Sequence, residues 1–202
     1  MLAGKHILLG VTGSIAAYQA ADLIGLLKSE MASVRVLMTR AATQFITPLT
    51  LEVISEHPVT VDMFAGAGAS VEHIALARAA DLLLIAPATA NIIGKLATGV
   101  ADDMLSTTAL AVTAPILIAP AMNEQMWFNR IVQGNVDRLR KLNVHFVEPE
   151  YGPMACGGEG WGRLARLPVI VRRASEVVGN SAALGEQTGA ERADMPSDAV
   201  TE

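Results

Sequence analysis

The sequence predicts an α/β protein of three layers, with helices on both faces of a mostly parallel sheet. Short runs of Val, Ile and Leu at residues 6–11, 34–39, 82–86 and 116–119 are continuous rather than alternating. Strands buried on both faces read this way. Segments of helical period separate them, and strand–helix alternation implies parallel strands joined by right-handed crossovers. The chain is 51% hydrophobic but only 4% aromatic, so small and branched aliphatics must build the core.

The elements follow in order. The strand at 6–11 runs into a Gly and Ser turn, and a helix is expected over 15–31 with Ser14 as its N-cap. After the strand at 34–39 comes a helix at 50–55, then a loop of small residues at 65–70 and a helix at 74–79. The strand at 82–86 precedes helical segments at 92–97 and 105–112. The strand at 116–119 is followed by a helix at 132–142 and a weaker strand at 144–147. Residues 150–163 hold five glycines without a usable period and read as an irregular segment, either functional or a surface Ω-loop. Past residue 180 the chain turns to Ala, Gly, Glu, Asp, Ser and Thr. The organisation expected is one domain over 1–180 and a disordered tail or linker over 181–202.

Bulk properties exclude some classes. A net charge of −5 argues against nucleic acid, whose binders display a basic face. No apolar run reaches the length of a membrane span. Cys156 is the one cysteine, so no intramolecular disulfide can form and a reducing, cytoplasmic setting is expected.

Polar and small residues gather where strands end. Gly10-Val11-Thr12-Gly13-Ser14-Ile15 joins the first strand to a helix. Glycine lets backbone approach a ligand, and a helix N-terminus suits a phosphate. The spacing matches neither the dinucleotide fingerprint nor the triphosphate-binding loop, which leaves a mononucleotide or a purely structural turn. Thr39, Thr89 with Asn91, and Met122 with Asn123 follow the next three strands. Ligands in open parallel sheets bind beyond such ends.

Four blocks in order carry a resemblance: Gly13-Ser14-Ile15-Ala16-Ala17-Tyr18; Pro87-Ala88-Thr89-Ala90-Asn91; Pro120-Ala121-Met122-Asn123 with Met126-Trp127; and Ala155-Cys156-Gly157-Gly158-Glu159-Gly160. Over roughly residues 1–175 the chain resembles the flavin-containing cysteine decarboxylases, in particular the phosphopantothenoylcysteine decarboxylase group. The resemblance implies a flavodoxin-like Rossmann fold, FMN as cofactor and a trimer-based homo-oligomer, often a dodecamer. It implies FMN contacts from Gly13, Ser14, Ile15, Thr39, Thr89, Ala90, Asn91 and Ile92, with Ala121 lining the flavin. His73 matches the catalytic histidine. Asn123, Met126 and Ala155 match substrate-binding positions, and Cys156 matches a late proton donor. Two positions depart from the pattern: Gly158 stands where Asp commonly follows the Cys-Gly pair, and Leu164 where Met follows Gly-Arg.

The activity so implied converts 4′-phosphopantothenoylcysteine to 4′-phosphopantetheine. Oxidation of the substrate thiol to a thioaldehyde puts the carboxylate β to a C=S group, which accepts the electrons as CO₂ leaves. The same electrons then return to give the saturated thiol, so no external reductant is consumed. Alternatives are a peptidyl-cysteine decarboxylase acting on a peptide C-terminus, and a flavin-binding regulatory subunit.

The residues also have plainer readings. His73 reads as a general base or as a surface histidine at a helix start. Asn123 can serve a carboxylate or cap a helix containing Met126 and Trp127. Arg163 is a candidate for a phosphate or carboxylate, or a solvated arginine. Asp102 and Asp103 lack the spacing of metal ligands and read as a helix N-terminus.

Overall fold

The computed structural model describes residues 1–64, 72–155 and 157–193. Six strands form one parallel sheet: β1 (His6–Val11), β2 (Ser33–Met38), β3 (Val59–Thr60), β4 (Leu82–Ala88), β5 (Ile116–Pro120) and β6 (His145–Phe146), in spatial order β3-β2-β1-β4-β5-β6. Every pairing in it is parallel. The sheet is flanked by helices on both faces, as the strand–helix alternation requires.

Strand alternation sorts the core into two halves. Ile7, Leu9 and Val11 of β1 point to one face, where α1 (Ala20–Ser29), α2 (Pro48–Ser55) and α8 (Leu167–Ala193) supply Leu23, Leu51 and Ile170. Leu8 and Leu37 point to the other. There α3 (Glu72–Ala79), α4 (Ala90–Thr98), α5 (Met104–Ala111) and α7 (Arg130–Lys141) supply Leu76, Ile93, Leu105 and Leu139. Trp127 of the short α6 (Glu124–Trp127) closes that half.

Helix starts follow their caps. Ser14 accepts from Ala16 N at 3.3 Å, but the first turn it caps, Ile15–Gln19, is a 3₁₀ turn that leads into α1. Thr47 caps α2, with Pro48 at the first helical position. Asp103 and Ser106 form a reciprocal capping box on α5, as the helix-terminus reading of Asp102-Asp103 anticipates.

Two expectations are corrected. Residues 150–163 are not an irregular loop: β7 (Glu150–Pro153) and β8 (Glu159–Arg163) pair antiparallel as a ribbon. Glycines at 152, 160 and 162 remove the side chains whose alternation would have marked the strands. The C-terminal helix α8 was not anticipated either, and it runs past residue 180 to Ala193. Ala, Leu, Glu and Gln, which favour helix, continue through that stretch.

Order β3-β2-β1-β4-β5-β6 reverses direction between β1 and β4, and this switch point is where open α/β sheets bind ligands. Thr12 bridges it. Its buried hydroxyl donates to Pro87 O at 2.7 Å and accepts from Thr89 N at 3.0 Å. Thr12→Val keeps shape but takes the acceptor from Thr89 N and leaves Pro87 O with only the longer bond from Thr12 N at 3.3 Å, which costs about 1–3 kcal/mol. We expect a lower denaturant midpoint at unchanged slope, with Thr12→Ser close to wild type. A Thr12→Val midpoint equal to wild type contradicts this.

Candidate functional site

Two adjoining cavities open at the switch point, of about 470 and 660 Å³. Gly13, Thr89, Ala90 and Met126 line both, so they are chambers of one cleft. The volumes suit a cofactor with a small substrate.

The larger chamber lies beyond β2, β3 and β4. Thr39, Asn91 and Ile92 line it, with Thr12 at the switch point. Gly13 sits here because nothing larger fits: a Cβ would stand 2.5 Å from that of Ala41 and 3.0 Å from its carbonyl carbon. The turn therefore presents bare backbone to the chamber. Beside it is the amino end of α4, capped by the hydroxyl of Thr89, whose N–H groups and dipole favour an anion.

Both cations in this chamber are paired, against three carboxylates, Asp62, Asp102 and Asp103. Arg40 pairs with Asp62 at 2.5 Å. Lys95 is held between Asp102 at 2.5 Å and Asp103 at 2.6 Å. Burial disfavours charge on Lys95 and Asp103 alike. The two carboxylates nonetheless hold the Lys95 ammonium above its ordinary range, and Lys95 with Ser106 holds the Asp103 carboxyl below its own.

The smaller chamber lies between the Gly13 turn, the end of β5 and the β7–β8 ribbon. Ser14, Ile15, Ala121, Asn123 and Ala155 line it. Asn123 also caps α6, accepting from Gln125 N at 2.9 Å, so both readings of this residue hold together. The ribbon is fixed to the rim at two points. Met122 N donates to Gly162 O at 2.9 Å, and Trp161 N donates to Glu124 Oε1 at 3.0 Å. Gly162 has a φ of +119° and lies so close to Met122 O that a Cβ would overlap it. Glycine is required there on both counts.

The cleft thus gathers every expected cofactor and substrate residue, from Gly13 to Ala155. His73 lines neither chamber. It stands at the start of α3, next to Glu72, which accepts from Thr60 Oγ1 at the end of β3 at 3.1 Å. Its Nδ1 is shielded from solvent and has no partner among the described residues. Cys156 lies outside the described residues. Sequence reasoning missed Thr12, although a hydroxyl at the last position before Gly13 was a usable signal. It also missed Lys95, whose role depends on Asp102 and Asp103 closing back over α4.

A parallel sheet with a mononucleotide-sized cleft at its switch point defines a nucleotide-cofactor protein of the doubly wound α/β class. The Flavoprotein family profile matches residues 1–179, and the chain belongs to that family. It is 48% identical over 164 residues to the coenzyme A biosynthesis bifunctional protein CoaBC of Vibrio vulnificus (strain YJ016), covering 81% of this chain and 41% of that protein. The chain therefore spans less than half the length of that relative. Among solved structures it is similar to a PPC decarboxylase mutant complexed with pantothenoylaminoethenethiol, at 32% identity and a TM-score of 0.75, covering 85% of this chain and 96% of that one. It is similar too to the FMN-dependent cysteine decarboxylase SpaF, at 34% identity and a TM-score of 0.73, covering 86% and 99%. The flavodoxin-like α/β fold is shared with these neighbours. No helix among the described residues is long and apolar enough to cross a membrane.

The Lys95 cluster gives a pH-dependent prediction. A carboxyl with a depressed folded pKa stabilises the fold above its unfolded value, about 3.9 for Asp, and that stability is lost as pH falls through the folded value. Asp103→Asn should therefore lower stability at neutral pH, with the gap to wild type narrowing below about pH 4. Urea titrations across that range check it, and a gap independent of pH contradicts it.

Proposed function

We propose that the chain binds FMN in this cleft and decarboxylates 4′-phosphopantothenoylcysteine to 4′-phosphopantetheine. One observation carries the reading: the bare Gly13 turn, the amino end of α4 and the polar face of Asn123 converge on one two-chambered cleft under a glycine ribbon. The residues fit FMN. Gly13, Ser14, Ile15, Thr39, Thr89, Ala90, Asn91 and Ile92 would hold it, with Ala121 beside the ring. Bound there, FMN supplies the reversible two-electron chemistry that the substrate thiol needs.

The protein's part is to position and to move protons. Asn123, with a donor and an acceptor on one amide, orients the carboxylate that leaves. Met126 and Ala155 give the cysteine end an apolar wall that excludes water. His73 takes the thiol proton, as an imidazole nitrogen can act as a general base. Cys156 returns a proton after CO₂ has left, a late role supported by its place in the sequence between two glycine-containing strands. We also propose a trimer-based assembly, because His73 lines neither chamber of its own chain, and a cytoplasmic setting, because the single cysteine suits a reducing compartment. The flavin-binding unit is taken as residues 1–180, and 181–202 as a linker that begins as an extension of α8. The family match ending at residue 179 supports that boundary.

Purified protein should be yellow, with about one FMN per chain, as a single specific site requires. Mixed with phosphopantothenoylcysteine it should release CO₂, read by mass spectrometry. His73→Asn should keep the flavin and lose CO₂ release. Cys156→Ser should release CO₂ but accumulate the unsaturated enethiol, lighter than the thiol by a pair of hydrogens. A colourless protein that also fails to take up added FMN overturns the reading. CO₂ release from a peptide ending in cysteine, with none from the phosphorylated substrate, replaces it by the peptidyl alternative.

A monomer by light scattering at micromolar concentration, still fully active, contradicts the assembly.

A further inference from the structure

Arg163 is the one ionisable group, apart from the phenol of Tyr18, among the described side chains lining the smaller chamber. No carboxylate lines that chamber with it. It stands at the end of β8, opposite Glu150 in the ribbon register. Glu150 is the obvious partner, but its Oε1 already accepts from Arg166 Nε at 3.1 Å and from Arg166 N at 3.2 Å. Glu124, the other carboxylate fixed near the ribbon, accepts from Trp161 N. The Arg163 guanidinium consequently makes no ion pair or hydrogen bond among the described residues. The cations of the neighbouring chamber, Arg40 and Lys95, are by contrast each matched to aspartates.

The arm is nevertheless placed. Its terminal Nη1, Cδ and Cζ lie against Gly152 on β7, so closely that a Cβ at 152 would overlap the guanidinium. A bare glycine on one strand thus seats the arginine of the other at the chamber wall. Arg163 is solvent-exposed, and the seat leaves its fork of N–H donors facing water at a chamber whose other lining groups are neutral. That arrangement selects a dianion with several acceptor oxygens, which a guanidinium engages with two parallel hydrogen bonds.

We propose that Arg163 receives the terminal phosphomonoester of the substrate and so sets its specificity for the phosphorylated over the unphosphorylated compound. This rests on the reading of the cleft given above. The phosphate of the cofactor is the other source of the same chemistry. It is assigned instead to the Gly13 turn and the α4 amino end, where backbone N–H groups and the Thr39 and Thr89 hydroxyls stand together. The substrate's carboxylate is assigned to Asn123, which lines the same chamber.

The test uses the flavin-loaded protein with phosphopantothenoylcysteine and with pantothenoylcysteine. Wild type should favour the phosphorylated substrate. In Arg163→Met the ratio of the two kcat/KM values should fall about 10- to 100-fold, carried by a higher KM for the phosphorylated substrate, as loss of a charge-assisted pair predicts. Arg163→Lys should restore part of the ratio. FMN affinity should be unchanged. Equal losses on both substrates would make Arg163 a structural part of the ribbon, and weakened FMN binding would assign it to the cofactor phosphate; either overturns the proposal. Wild type that turns over both substrates equally also overturns it, while leaving decarboxylation standing. Wild type that turns over neither overturns the decarboxylase reading itself.

Discussion

The hydroxyl of Thr12 is buried between the ends of β1 and β4 and is engaged on both sides, donating to Pro87 O and accepting from Thr89 N. Those strands diverge in direction of winding at this point, so nothing in the helical layers alone fixes one end against the other. Further hydrogen bonds continue the line along the rim. Thr39 N reaches Val11 O at 3.0 Å on the β2 side. Ala121 N reaches Ala88 O at 2.9 Å on the β5 side, and Met122 N then reaches Gly162 O in the ribbon. The other links are backbone to backbone, and only the Thr12 link uses a side chain. Thr12 N also donates to Pro87 O at 3.3 Å, so backbone and side chain together hold the Gly13 turn against the start of α4.

Charge is divided between the chambers as sharply as shape. The larger chamber carries both signs, and its two cations are each engaged by aspartates, so backbone N–H groups and hydroxyls are left to meet an anion there. Lys95 between two aspartates holds α4 to the start of α5, a structural use of charge in which burial would otherwise penalise Lys95 and Asp103. The smaller chamber has no such pairing. Arg163 has no acid partner there among the described residues, which leaves its guanidinium available to an anion from solution.

Much of this was legible in the sequence, and the rest was hidden for identifiable reasons. The strands β1, β2, β4 and β5 were plain, because strands covered on both faces must be continuously apolar. The strand β3 is too short, at two residues, to show any pattern. The ribbon was hidden by its own glycines. The helix α8 does carry a helical apolar stripe in Ile170, Ala174, Val177 and Val178, but polar composition past residue 180 drew attention away from it. The glycine turn and the polar strand ends marked the cleft. Thr12 and Arg163 did not stand out, since their roles come from partners gained or lost in space. The Thr12 contact spans 75 residues of chain, and Arg163 has no partner among the described residues although Glu150 stands opposite it, bonded to Arg166.

His73 raises a different point about what one chain can contain. A ring nitrogen cut off from water without a partner costs free energy that folding would ordinarily avoid. Such groups in native proteins call for a reason, and a catalytic role is a frequent one. On the proposed mechanism the imidazole must reach the cysteine end of the substrate, near Asn123, yet within its own chain it lies outside both chambers. Both facts are resolved if α3 of one copy faces the cleft of another. The unpartnered nitrogen then gains its partner at that boundary, and the cleft gains its base. A symmetric closed assembly repeats the arrangement at every site at once. The isolated chain would then bind cofactor through its own switch point while lacking the group that starts the chemistry.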